Sequence, residues 1–323
     1  YVTTATLDIS QTTSGASISS LLNFSTGPVV ALGSKELTIT SGSPIFFDGV
    51  IQDGGLGGGT GGRLRIASGA RQGLAGVNTY TGATTIEGNA LLYGNGSIAA
   101  SSSVNLAAAT AGFDISNSTI NPTVQNMSGV AGSQINLGVN TLTVVSSAAT
   151  TFAGEITGTG GLTKSGAGNL MLTGANTYTG GTTVSAGTLT GTTTSLQGNI
   201  VNNATVAFDQ STNGTYAGLM SGTGGLTKSG TGNLTLTGAS SYTGGTTVLA
   251  GTLTGTTTSL QGNIVNNAAL VFDQATNGTY AGAMSGTGSL ALNGTGNVTL
   301  TGTNTYSGGT TVSAGTRTGN TTS

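Results

Sequence analysis

The stretch GTGGLTKS at Gly158–Ser165 sets a lysine and a hydroxyl behind a run of glycines, the residue types that cradle a phosphate. A phosphate loop needs G-x-x-x-x-G-K-[ST] at the start of a helix, so that backbone amides and the lysine converge on the anion. Here Thr163 occupies the place of the last glycine, and Lys164 and Lys228 give way to Leu292 in a third copy of the string. The spacing predicts a β-turn carrying a solvated lysine. Gly54–Gly62 contains a formal G-x-G-x-x-G but no flanking helix or distant acid, and it predicts a flexible loop protruding from the fold. The basic cluster beside it, Arg63, Arg65 and Arg71, reads as a solvated strand face, with an acidic glycan as the functional alternative.

Acid–base chemistry has little to work with. Six Asp and three Glu are scattered along the chain, only Asp48 and Asp53 fall close together, and histidine is absent. That removes the usual general base, the Ser-His-Asp arrangement and the commonest metal ligand. Asp209 and Asp273, in FDQSTNGTY and FDQATNGTY, offer one carboxylate per loop, short of the several oxygens calcium requires, and predict Asx-type turns. No catalytic residue, cofactor site or metal site is expected, and the protein is read as a non-enzyme. Tyr178, Tyr242 and Tyr306 recur at one place in a repeat, and Tyr216 and Tyr280 at another. Facing outward they would make a contact surface for sugars or for a second rod; facing inward they would cap the core at corners. Threonine pairs such as Thr235-x-Thr237 and Thr252-x-Thr254 could form a flat array only if they returned on one face of every turn.

The elements that must carry these side chains follow from the repeat. GTGGLTKSG begins at Gly158 and again at Gly222, and GTGSLALNG begins at Gly286, so successive copies are offset by 222 − 158 = 64 and 286 − 222 = 64. Copies 158–221 and 222–285 differ at ten positions, and the third, 286–323, stops within the unit, which predicts a piece of a longer array. A degenerate copy lies at 64–91, where Leu64, Tyr80, Thr84, Thr85, Ile86 and Leu91 match downstream residues at a constant offset of 162 − 64 = 98. The remainder of 1–157 reads as diverged turns of the same kind. Leu170 and Leu172 become Leu234 and Leu236, then Val298 and Leu300, while the residue between them changes freely. That alternation marks a strand with one buried face, and the 59 glycines argue against helix. Hairpins and stacked coils could both use such strands. Coils are favoured, because stacking pairs every internal strand and fills a narrow core with apolar ladders, and one copy divides into three turns of about 21 residues each.

With seven basic residues and a net charge of −2, the chain has no electrostatic footprint for nucleic acid or anionic lipid. No run of about 18 apolar residues is present to span a membrane, and cysteine is absent.

The segment GTGGLTKSGAGNLMLTGANTYTGGTTVSAGTL, Gly158–Leu189, resembles the passenger-associated transport repeat of bacterial autotransporters, as do the copies at Gly222 and Gly286 and, more loosely, Leu64–Leu91. LLYGNGSIAASSSVNLAAATAGFDIS, Leu91–Ser116, is similar to passenger sequence that follows such repeats. The resemblance implies an all-β fold, a right-handed parallel β-helix (β-solenoid) of tandem repeats. It also implies type V secretion through an outer-membrane β-barrel translocator, which this chain lacks, to the surface of a Gram-negative cell. The expected function is a rigid stalk for cell-surface, cell–cell or biofilm attachment, with glycans, a host surface or other copies as partners. A self-assembling filament subunit and a polysaccharide-acting β-helix enzyme are the alternatives.

Overall fold

The computed structural model describes residues 5–23, 27–42 and 45–319. Among them every regular element is a β-strand, and every strand pairing is parallel. The chain divides into two compact units, 1–181 and 182–323. Each unit is a solenoid whose turns pass through three faces in rotation.

In the first unit one sheet consists of the six strands Ile45–Phe47, Arg71–Leu74, Asn89–Gly94, Gly112–Ser118, Gln134–Asn136 and Glu155–Thr157. A second face carries the ladders Leu37–Leu64–Thr84–Val104 and Ile39–Ile66–Ile86–Leu106. These inward side chains are essentially inaccessible, while the intervening Thr38, Arg65 and Thr85 are not buried. A strand alternates its side chains between faces, and parallel stacking places like over like, so each aliphatic residue covers the one a turn earlier. A fully buried leucine of this kind contributes about 1.5–3 kcal/mol. The turn length varies. The step from Leu37 to Leu64 is longer than the step from Leu64 to Thr84, because the stretch around Gly54–Gly62 is looped out of the first.

In the second unit the ladder Leu234–Leu253–Leu270–Leu290–Thr310 rises by 253 − 234 = 19, 270 − 253 = 17, 290 − 270 = 20 and 310 − 290 = 20. The turn is therefore shorter than the repeat suggests, and three turns fall short of one copy. The surplus carries the chain on to the next sheet. Thr182–Val184 lies in the sheet with Ile200–Asn202 and Met220–Ser221; its counterpart Thr246–Val248 lies in the sheet of Thr205–Asp209 and Ile264–Asn266; the third counterpart, Thr310–Val312, lies in the sheet of Ala269–Phe272. Copies of one residue thus occupy three faces in succession. Residues 320–323, the end of the third copy, lie outside the described residues.

Asparagines clamp turn to turn. The side-chain oxygens of Asn199, Asn213, Asn263 and Asn277 accept the amides of Leu219, Asn233, Ala283 and Asn297, each 20 residues on, at 2.9–3.0 Å. At the corners backbone lies directly on backbone. A Cβ on Gly282 would run into the carbonyl oxygen of Gly262, an approach that only glycine tolerates.

Candidate contact surface

Several of the side chains singled out by type turn inward. Tyr178 and Tyr242 are 1 % exposed and Tyr216 and Tyr280 are 3 % exposed, so the outward reading of these four is corrected: they fill the core. Tyr242 Oη is 2.7 Å from Thr246 Oγ1, and Tyr80 in the degenerate copy repeats the contact with Thr84 at 2.6 Å. Tyr216 and Tyr280 pack against Phe208 and Phe272 at centroid distances of 5.1 and 5.3 Å, and each donates to a corner carbonyl, Gly198 O and Gly262 O. Burial raises the hydroxyl pKa of Tyr80, Tyr242 and Tyr280 above its usual value. Tyr306 is half-buried and bonds Thr310 at 2.6 Å. Because successive copies change face, these rings form no row.

The lysines are corrected too. Lys164 and Lys228 lie on inward strand positions and are inaccessible, Lys228 stacked between Phe208 and Val248. Its Nζ donates to the carbonyls of Ser229, Gly230 and Ala250 at 2.6, 2.7 and 3.1 Å, and Lys164 Nζ donates to Ser165 O and Gly166 O. Desolvation holds both ammonium groups below their usual pKa, with the charge of Asp209 working against it at Lys228. The stem lines the core and the head is wrapped by carbonyls, so neither lysine is offered to a phosphate.

The glycine-rich loop is tethered rather than loose. Asp8 Oδ2 accepts the Leu56 amide at 2.7 Å, Ser10 Oγ accepts the Gly57 amide at 2.7 Å, and Asp53 accepts the amides of Gly61 and Gly62 and the hydroxyl of Thr81. The Leu56 amide, with the Ser10 hydroxyl and amide, holds Asp8 below the ordinary carboxylate pKa. At Asp53 burial pushes upward, but the Thr81 hydroxyl and the amides of Gly61, Gly62 and Thr81 together bring it down. Asp209 accepts the Ser229 hydroxyl from the following turn, and the turn-forming amides Thr193 and Thr257 are held by Gln210 and Gln274. Arg65 forks onto Glu87 at 2.8–3.2 Å and Arg63 lies in register with Glu36, while Arg71 stands apart on the six-stranded sheet.

On the outward side of that sheet the structure assembles what the sequence kept separate. Phe46, 39 % exposed, and Tyr93, 48 % exposed, meet at a centroid distance of 4.7 Å with planes tilted by 47°. Phe46 reaches Tyr93 across Gly73, where a Cβ would overlap the Phe46 ring at Cδ1. Asn89 likewise extends over Gly112, where a Cβ would overlap its Oδ1. Beside the ring pair Arg71, Asn89, Leu91 and Asp114 line a shallow depression, with Asn117 in register with Tyr93. The only sequence signal was the pair Phe46-Phe47, one of which must face out in a strand. The threonines form a plainer outward column in the second unit, Thr215 over Thr235 over Thr254, continued by Val271 and Ala291 rather than by threonine. Among the described residues no three His, Cys, Asp or Glu side chains gather where they could hold a metal.

The passenger-associated-transport-repeat family matches residues 74–88, 162–190, 226–258 and 290–316. A protein named adhesin BmaC autotransporter, from Brucella suis biovar 1 (strain 1330), is 44 % identical over 190 residues, which is 50 % of this chain. The chain spans only 6 % of that relative's length. No solved structure matches.

Proposed function

We propose, from the premise that this chain is autotransporter passenger exposed on a Gram-negative cell, that it serves as an adhesive stretch of the passenger and carries no catalytic activity. The observation that carries the reading is the 44 % identity, across half the chain, to a protein named as an adhesin. The solenoid architecture supports it: parallel turns give a stiff scaffold that lengthens by adding copies, and its outward positions are mostly neutral hydroxyls and amides with scattered charged and exposed apolar side chains. Repeated weak contacts on such a scaffold add up through avidity. In this proposal the partner during export is an outer-membrane β-barrel, and the partner afterwards is a host surface or a neighbouring cell in a biofilm.

The test is attachment. Beads coated with the chain should adhere to epithelial monolayers, to matrix-coated plates or to beads coated likewise, well above beads coated with an unrelated β-solenoid. Attachment no better than that control across all three surfaces overturns the adhesive reading.

A further inference from the structure

Resting on the adhesive reading, we infer that the outward face of the six-stranded sheet, centred on Phe46, Tyr93, Arg71, Asn89 and Asp114, is a binding site for an uncharged oligosaccharide. Sugars present a C–H face with partial positive charge, which lies against the negative face of an aromatic ring, and a rim of hydroxyls, which pairs with planar donors and acceptors. Both requirements meet here. Phe46 and Tyr93 give two touching rings, each more than a third exposed. Gly73 lets Phe46 extend flat along the sheet instead of standing off it. Next to the rings, the guanidinium of Arg71, the amide of Asn89 and the carboxylate of Asp114 surround one depression floored by Leu91.

Size and charge narrow the ligand. The site crosses four adjacent strands, from Phe46 through Arg71 and Asn89 to Asp114. At about 4.8 Å between strands that is about 14 Å, the reach of a short oligosaccharide. The same face carries Arg71 against Asp114 and, further along, Glu155. Within those four strands the one guanidinium, Arg71, is matched by one carboxylate, Asp114, which leaves no net positive charge to hold a uronate or sialate, and Glu155 beyond them repels one further, so an uncharged chain fits better. The parallel sheet also repeats its outward columns at nearly constant spacing, which suits a polymer lying along the stack.

The experiment uses the complete chain and a printed array of neutral hexose and N-acetylhexosamine oligosaccharides alongside uronate- and sialate-containing ones. Neutral chains should bind, with affinity reduced at least about tenfold in Phe46→Ala, Tyr93→Ala and Arg71→Ala. The protein has no tryptophan, so Phe46→Trp places a single reporter indole at the site; its emission should shift to the blue on adding the bound neutral oligosaccharide. This variant also covers the case in which an alanine variant misfolds. Binding confined to acidic chains, no binding at all, or full affinity in both Phe46→Ala and Tyr93→Ala overturns the proposal. Self-association of the wild type that Phe46→Ala abolishes would assign the face to a second copy and overturn it as well. The bead assay separates the two readings: attachment that persists without saccharide binding removes this site and leaves the adhesive role, whereas failed attachment removes the adhesive role even if sugars bind.

Discussion

Lys228 shows how one residue type can be misread at the scale of a single side chain. A lysine beside glycines suggests solvent or an anion, yet its place in the ladder Phe208–Lys228–Val248 is that of Leu292 in the ladder Phe272–Leu292–Val312. Shape therefore governs the site, and charge is tolerated because three carbonyls surround it. Lys228→Leu should change stability by no more than about 1 kcal/mol, since lost hydrogen bonds are offset by the relieved desolvation. Lys228→Ala should cost about 2–4 kcal/mol through the cavity it leaves, read from denaturant midpoints. The pH dependence has a definite sign. The folded-state pKa lies below 10.5, so the unfolded chain binds more protons between the two values and stability rises with pH across that window. Above 10.0 the buried tyrosines act in the opposite direction, because unfolding frees hydroxyls that ionise more readily. Melting temperature should climb as pH approaches the ordinary tyrosine value and then fall; Lys228→Leu should weaken the climb and keep the fall.

At the scale of an element, the strands were legible and their partners were not. Leu234 and Leu236 around Thr235 give alternation that any strand with one buried face must show, and both leucines are buried. The length of the turn was hidden because stacked positions need only be compatible, not alike: Leu226 lies opposite Thr246, and Thr246 opposite Ile264. Self-similarity reports the copy, while packing follows the shorter turn. Phe46 and Tyr93 escaped for the same reason, being distant in the chain and joined only through the turns between them. The Gly54–Gly62 loop was recognised as an excursion, but its glycines concealed the carboxylates that hold it. Those tethers should fail in acid. Asp8 and Asp53 titrate below 3.8, so their contribution is complete above that value and is lost as pH falls through the lower folded-state pKa. Pepsin cleavage near Leu56, which is 85 % exposed, should rise in wild type only once pH has fallen below 3.8. In Asp53→Ala it should already be fast at about pH 4. Equal cleavage in both across that range would show that the tethers do not hold the loop.

For the molecule as a whole, the mismatch between copy and turn makes a prediction about length. Removing residues 222–285 joins Ser221 to Gly286 and brings Leu290 over Val206, the counterpart of its present neighbour Leu270. Every ladder is then rebuilt from equivalent residues, so the shortened chain should fold with the same circular dichroism per residue and a melting temperature within a few degrees. Removing 222–281 would set Leu290 over Gln210 if the step from turn to turn were kept, and that chain should melt much lower or precipitate. Comparable stability of the two deletions would refute this account of register.

The passage of Thr182–Val184, Thr246–Val248 and Thr310–Val312 through three sheets also gives the repeats a heading. Closely similar sequence is thus presented on three sheets of the second unit in turn, and each offers much the same chemistry. Gain or loss of one copy by recombination would leave that chemistry intact and swing everything downstream by a third of a circle. The copy number therefore decides which of the three sheets receives each later strand.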